Sequence, residues 1–258
     1  MALMDPLYRL YESGLERQVR TEPLPCHVGV ILDGNRRYAQ ERGDAPTVGH
    51  AAGARKIHEF LSWCHELDLP YVTLWMLSTD NLERDDDELR ALLDIIGATA
   101  AEIAADEETR RRGLRVSAVG ALDLLPDDVR SRLKEAAEAT EANTGMHVQL
   151  AVGYGGRREI TDAMRSMLLE HAAAGDSVEE IAELLTPEHL EQHLYSTGIP
   201  DPDLIIRTSG EIRLSGFLLW QSAHSEFHFA DPYWPAFRRI DFLRALRDYQ
   251  YRTRRFGR

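Results

Sequence analysis

The sequence has few or none of several familiar features. Only two of its 258 residues are cysteines, Cys26 and Cys64. That is too few for a disulfide framework, and neither belongs to a Cys-x-x-Cys pair, so thiolate zinc is excluded and a reducing cytoplasm fits. No run of 18 apolar residues exists to span a bilayer. Met1 to Val19 is too charged for a signal peptide. Basic residues are outnumbered, 30 against 43 acidic ones, for a net charge of -13. This argues against a nucleic-acid partner. There is no Gly-Lys-Ser/Thr phosphate loop, and Gly153-Tyr154-Gly155-Gly156-Arg157 fails the dinucleotide fingerprint because Arg158 stands where its third glycine would be. Ser215 and Ser225 lack the Gly-x-Ser-x-Gly setting of a hydrolase nucleophile. Internal repeats and low-complexity stretches are absent too.

What is present is ordinary globular composition, 43% apolar and 28% charged, at a length that suits one large α/β domain. Strand patterns occur at Val28–Leu32, Tyr71–Leu77, Arg115–Val119, His147–Val152, Leu204–Ile206 and Phe217–Trp220. Helical patterns fall between them at Ala51–Leu67, Asp87–Arg111, Asp127–Glu141, Arg157–Ala174 and Ser177–Tyr195, with a last helix from Asp241 to about Arg254. Pro6 to Val19 reads as an amphipathic helix packed on the domain. The alternation predicts a single domain with a central, mostly parallel six-stranded sheet flanked by helices. Gly198 to Pro202 is the one linker candidate and is too short to divide domains.

Three strand ends run into polar loops, at Asp33 to Arg37, Ser78 to Arg84 and Arg207 to Ser215, and ligands gather at such carboxyl edges. The run Val28-Gly29-Val30-Ile31-Leu32 delivers Asp33, Gly34 and the pair Arg36 and Arg37 to one loop. A carboxylate beside arginine forks suits a Mg²⁺-bound phosphate ester, and a plain strand-to-helix turn with solvated arginines is the alternative. Arg207 and Arg213, six apart with hydroxyls and glycines between, can wrap a diphosphate from two sides. Glu226 lies in an aromatic stretch; structural pairing is one reading and a metal shared with Asp33 the other. Asp85-Asp86-Asp87-Glu88 superficially suggests the aspartate-rich motif of all-helical prenyl synthases, but Leu89 stands where an acid is needed. The run reads instead as a helix N-terminus, where negative charge is favourable. The apolar stripe Leu89, Leu92, Leu93, Ile96, Ala100 and Ile103 has helical spacing. Core packing accounts for it, and the border of an apolar tunnel is the alternative. The arginines from Arg238 to Arg258 read as a solvated helix face and basic tail, with a subunit or anionic-lipid contact as the other reading.

Taken in order, these residues resemble the cis-prenyltransferases, the undecaprenyl diphosphate synthase-like family. The resemblance covers about Cys26 to Gly257. It includes His27-Val28 through Asp33-Gly34-Asn35-Arg36-Arg37, Gly49-His50 with Gly53-Ala54, Leu77-Ser78-Thr79-Asp80-Asn81, Asn143-Thr144-Gly145 and Gly153 to Arg157. It continues through Asp203 to Thr208, Ser215 to Gln221, Glu226, Trp234-Pro235 and Arg254-Arg255-Phe256-Gly257. Residues 1–25 then form an N-terminal helical extension and 26–258 the catalytic domain.

The resemblance implies a Mg²⁺-dependent homodimer that condenses isopentenyl diphosphate with an allylic diphosphate, sets the new double bond cis and houses its product in an apolar tunnel beside the sheet. Asp33 is then the catalytic and metal carboxylate, with Glu226 helping to hold metal from the adjoining subunit's side. Gly34, Asn35, Arg36, Arg37, Tyr38 and His50 hold the allylic diphosphate; Arg207, Arg213, Leu214 and Ser215 take isopentenyl diphosphate. Ser78, Thr79, Asp80, Asn81, Leu82 and Arg84 line the reaction centre. Asn81 corresponds to the residue the family credits with accepting the proton, but a carboxamide is a poor base, so it reads as orienting substrate while a diphosphate oxygen or Asp33 takes the proton. Several positions depart from the family pattern: Tyr38 and Leu82 replace tryptophans, Asp80 a glutamate, Ile212 a histidine and Pro46 an arginine. Met76 replaces a small residue near the tunnel entrance and, with Leu93 and Ile96, forms a plug that limits chain length; a gap-filling core methionine is the alternative. The pattern looks like the actinobacterial short-chain branch, which makes Z,E-farnesyl diphosphate from geranyl diphosphate. A medium- or long-chain synthase and a non-catalytic partner subunit are the competing readings. An amphiphilic product is compatible with peripheral contact at the inner membrane face.

Overall fold

The structure, a computed structural model, describes residues 4–252, with side chains from Tyr8 onward. The motif Arg254-Arg255-Phe256-Gly257 and Arg258 lie outside the described residues.

Helix α1 (Met4–Val19) leads into strand β1 (His27–Ile31), then α2 (Asn35–Gln40), α3 (Pro46–Glu66) and β2 (Tyr71–Trp75). Next come α4 (Asp86–Ala105), α5 (Glu107–Arg112), β3 (Arg115–Val119), α6 (Asp127–Thr140), β4 (His147–Ala151) and α7 (Gly156–Ala174). The chain continues through α8 (Val178–Leu184), α9 (Pro187–Glu191), β5 (Leu204–Arg207), β6 (Glu226–Phe229) and α10 (Arg239–Tyr251). The six strands form one sheet in the order β3-β4-β2-β1-β5-β6, every pairing parallel. The expected α/β architecture is therefore met.

Helices cover both faces of a parallel sheet, so its strands carry apolar side chains on both faces. Every residue of β1 is buried. Val28, Val30, Leu74, Leu150 and Ile206 join the main core with α3, α4, α6 and α10. Ile31, Trp75, Ala151 and Ile205 belong to a second core capped by Phe217 and Leu218. Leu15 and Val19 of α1 reach the main core, which ties that helix to the domain. Strand order reverses at β1, with β2 on one side and β5 on the other. That switch point opens a crevice at the carboxyl ends, where Ile31 lies in register with Arg207.

Three expectations need correction. Phe217–Trp220 is not a strand: Ser215, Gly216 and Leu218 have φ of 53°, 88° and 44°, which curls the segment into turns, and the sixth strand is Glu226–Phe229 instead. The helix expected over Asp87–Arg111 breaks at Asp106, whose extended backbone (φ -63°, ψ 135°) ends α4 while its side chain caps α5. The helix expected over Ser177–Tyr195 splits likewise, because Thr186 caps a new start with Pro187 in its first turn. The acidic run behaves as expected, with Asp85 accepting from the backbone N–H groups of Asp87 and Glu88 at the start of α4.

Helix α2 is seated by two glycines of α3. A Cβ on Gly49 would lie 2.1 Å from the Asn35 carbonyl oxygen, and one on Gly53 would lie 2.4 Å from Asn35 Oδ1. Elsewhere in a helix, alanine for glycine would gain up to about 1 kcal/mol; here the clash with backbone decides the sign. Gly49→Ala is expected to destabilise by about 1–3 kcal/mol, read as a fall of several degrees in thermal midpoint. An unchanged midpoint would show that α2 is not fixed by this approach.

Candidate active site

The crevice is built from the ends of β1, β2 and β5. Beyond β1 the Asp33 N–H donates to Thr208 Oγ1 at 3.0 Å, and the Thr208 hydroxyl donates back to the Asp33 carbonyl at 2.7 Å. The loop after β5 is thereby stitched to the loop after β1. Gly34 follows with φ 102°, a left-handed turn that launches α2, and a Cβ there would meet Tyr233 at 2.6 Å. One helical turn on from Asp33, Arg37 returns to it.

Asp33 is held between two guanidiniums. Arg207, only 5% exposed, donates from Nη2 to Asp33 Oδ2 at 2.7 Å, and Arg37 Nη2 lies 3.2 Å from Oδ1. Arg207 Nη1 also donates to the Arg213 carbonyl at 2.6 Å and to Ser215 Oγ at 2.9 Å, so it shapes the loop that carries Arg213. Arg37 reaches Ser209 Oγ at 2.8 Å and Glu211 at 3.0 Å, and Glu211 in turn pairs with Arg213. Burial pushes the Asp33 carboxyl up, but the Arg207 hydrogen bond and charge, with Ser209 and Arg37, outweigh it and hold it below the ordinary carboxylate range.

A second cationic pole faces the first. Arg36 and Arg84 converge on Glu88, with Arg36 Nε 3.2 Å and Arg84 Nη1 3.1 Å from Oε1; His50 Nε2 stands 3.5 Å from the same oxygen. Arg84 Nε donates to Asn81 Oδ1 at 3.2 Å, and the Asn81 N–H donates to Ser78 Oγ at 3.2 Å. Burial raises the Glu88 carboxyl, yet Arg36, His50 and Arg84 lower it further. Burial lowers the His50 imidazole, which favours its neutral form.

Between the poles lies a cavity of about 570 Å³. Asp33, Gly34, Asn35, Arg36, Arg37, His50, Met76, Ser78, Asp80, Asn81, Arg84, Arg207, Arg213 and Ser215 all line it. Other expected residues do not contribute a lining surface. The Tyr38 ring lies 4.1 Å from the Arg42 guanidinium. Thr79 packs beside Gly155, Leu82 on the main core and Leu214 on the second. Leu93 and Ile96 are buried in the core, and the lining residue of α4 is Leu92. Glu226 requires a firmer correction. It starts β6 in register with Leu204, whereas Phe229 pairs with Arg207, so Glu226 sits at the opposite end of the strand and pairs with Arg252 at 2.9 Å. Within one chain it shares no metal with Asp33, and no group of three His, Cys, Asp or Glu able to hold a metal occurs among the described residues.

Sequence reading missed Glu88, Ser209 and Glu211 as partners of these arginines, and Trp75 as a wall. The Asp85–Glu88 run hinted at a capped helix, but nothing local revealed which cations it meets. Five guanidiniums (Arg36, Arg37, Arg84, Arg207, Arg213) against four carboxylates (Asp33, Asp80, Glu88, Glu211) leave the crevice positive in an acidic protein. His50 Nδ1, Trp75 Nε1 and Arg207 Nε are buried without a hydrogen-bond partner, all in lining residues. Such atoms normally find a polar ligand or water. Surplus guanidiniums, unpaired polar atoms and apolar walls together suit an anionic head on an apolar tail.

Comparison with known proteins agrees. The model of the undecaprenyl diphosphate synthase family matches residues 31–257. A (2Z,6E)-farnesyl diphosphate synthase of Thermobifida fusca is 58% identical over 253 residues, covering 98% of this chain and 97% of that protein. An isoprenyl transferase of Thermus thermophilus is 52% identical over 258 residues, covering 100% and 98%. The crystal structure of lavandulyl diphosphate synthase from Lavandula x intermedia, in complex with dimethylallyl diphosphate, superposes with a TM-score of 0.83 at 33% identity, over 91% of this chain and 99% of that one. By fold, site and sequence, this chain belongs to the undecaprenyl diphosphate synthase family and is a cis-prenyltransferase.

Proposed function

We propose that the enzyme condenses isopentenyl diphosphate with geranyl diphosphate and stops at Z,E-farnesyl diphosphate. The observation that carries this reading is the pair of cationic poles on either side of one cavity whose remaining wall is apolar. Arg36, Arg37 and His50, at the start of α2 and α3, suit the allylic diphosphate. Arg207, Arg213 and Ser215 suit the isopentenyl diphosphate. Similarity to a (2Z,6E)-farnesyl diphosphate synthase supports the short product.

Asp33 also fits a Mg²⁺ ion, which needs one or two carboxylates and completes its shell with phosphate oxygens and water. Bound there, the ion would neutralise charge on the departing diphosphate. The chain's own residues perform the rest. As the allylic carbon–oxygen bond breaks, negative charge grows on the leaving group, and Arg36 and Arg37, already held at the crevice, stabilise it. Arg207, Arg213 and Ser215 hold the second diphosphate so that its alkene faces the cation. A proton then leaves the new allylic unit. Asn81 is a poor base, and its carbonyl oxygen already accepts from Arg84. It therefore orients substrate, while a diphosphate oxygen or Asp33 takes the proton. The enzyme is read as a cytoplasmic homodimer in which Glu226 serves the partner's metal. Peripheral contact with the inner bilayer face belongs to the same reading; no helix among the described residues is long and apolar enough to cross a membrane.

Met76 sets product length. It lines the cavity and packs on the main core, to which buried Leu93 and Ile96 also belong. Each added isoprene would bury five carbons, worth about 4 kcal/mol, so elongation stops only where the wall refuses another unit.

Radiolabelled isopentenyl diphosphate with geranyl or farnesyl primer tests the assignment: a single addition to geranyl diphosphate is expected, and no incorporation with either primer would leave a non-catalytic homologue. Asp33→Asn should lower kcat by roughly 10²–10³-fold with the fold intact by circular dichroism. In Met76→Ala longer products should appear on chromatography; an unchanged chain-length profile would assign Met76 to packing alone. Asn81→Asp should slow turnover without adding an acidic limb to the pH profile. Faster turnover with a new acidic pKa would put residue 81 on the proton path.

A further inference from the structure

Away from the crevice, α7, α9 and the turn after α9 bring three histidines together. His171 and His189 meet edge to face with ring centroids 5.0 Å apart, and His193 lies 6.0 Å from His189. The closest approach is between two ring nitrogens, His171 Nε2 and His189 Nε2, at 3.1 Å. The other nitrogen of His171, Nδ1, is 2.6 Å from Asp176 Oδ2.

We propose that His171 and His189 form a two-nitrogen chelate for a borderline transition cation such as Zn²⁺, Ni²⁺ or Cu²⁺, with water completing the shell. The bite distance is right. At metal–nitrogen bonds of about 2.0–2.1 Å, two ligands stand about 2.9 Å apart at a right angle and about 3.3 Å apart in a tetrahedron, and the observed 3.1 Å lies between. The ring orientation is also set in advance. Asp176 accepts the Nδ1 proton of neutral His171, which leaves the His171 Nε2 lone pair free to ligate. A carboxylate behind a ligating imidazole is the usual outer support of such sites. Asp176 is itself pinned, because Gly175 adopts a left-handed conformation and the Asp176 N–H donates to the His171 carbonyl at 3.1 Å. The His171 side chain is 15% exposed, which leaves room for water ligands.

In the absence of metal, the two nitrogens can share one proton as a hydrogen bond. A cation takes that proton's place once His189 carries its own proton on Nδ1, so two neutral rings bind without net proton release. His193 stays outside the pair, with Nδ1 3.1 Å from Ser166 Oγ and Nε2 3.7 Å from Glu170. No third His, Cys, Asp or Glu among the described residues completes a cage. The site is accordingly a staple between two elements and lacks a catalytic metal's convergent ligand set. Mg²⁺ does not suit it, since that ion selects oxygen.

Isothermal titration of the full, untagged chain with Zn²⁺, in excess Mg²⁺ to occupy oxygen sites, tests this. Saturable one-to-one binding is expected, with a rise in thermal midpoint. Asp176→Asn should weaken it roughly tenfold, and His189→Ala should remove both signals. His189→Gln, which keeps a polar partner for His171, should behave as His189→Ala if the ligand is a metal. Wild-type affinity in either His189 variant, or no saturable binding below about 1 mM, would overturn the assignment.

Discussion

The Asp33–Arg207 pair is the constraint on which the site depends. Each partner stands at the end of one of two adjacent parallel strands, where the sheet changes direction, so backbone register alone brings them together. Removing two charges from water is costly unless each finds further partners. Both do. Asp33 is shared with Arg37, and Arg207 binds the loop at Arg213 and Ser215. The pair thus links the first and fifth strands, α2 and the Arg213 loop into one unit, and shapes a crevice for anions as a by-product of neutralising itself.

Around this unit the fold separates rigid support from chemistry. The strands and the inward faces of α3 and α4 supply the apolar core, while α2, the end of β5 and the loops beyond the carboxyl ends carry the five guanidiniums of the site. His27 shows the same division at the other end of the sheet. It is buried, its imidazole is lowered to about 4 chiefly by burial, and it stays neutral while bonding Thr73 and the Pro200 carbonyl. That end of the sheet holds structural polar contacts, and the carboxyl end holds the reactive ones.

Much of this could be read from the sequence, because the deciding signals are local. Apolar runs ending in Asp33, Ser78 and Arg207 mark buried strands with loaded ends, and the alternation with helices fixes a parallel sheet. The failures have a common cause. Phe217–Trp220 is apolar enough for a strand, yet it is buried as a cap over the second core, and its left-handed residues bend it away from any ladder. Glu226 looked like a partner for Asp33 because sequence gives residue type without register, and register places it at the far end of β6. Glu88 and Glu211 were missed because their roles exist only once α4 and the Arg213 loop have met arginines from elsewhere in the chain. Periodicity also placed Leu93 and Ile96 on the same face as Leu92 without saying which one reaches open space.

Glu211 has one more implication. It borders the cavity and pairs with Arg37 and Arg213; burial raises its carboxyl, but those two guanidiniums outweigh it and hold it below the ordinary carboxylate range. At Arg37 and Arg213 an incoming phosphate group therefore trades places with a resident anion. Such a swap conserves the number of ionic contacts, so occupancy should respond less to background electrolyte than the count of arginines suggests. The same resident anion stands ready to refill the vacated contacts as spent pyrophosphate departs.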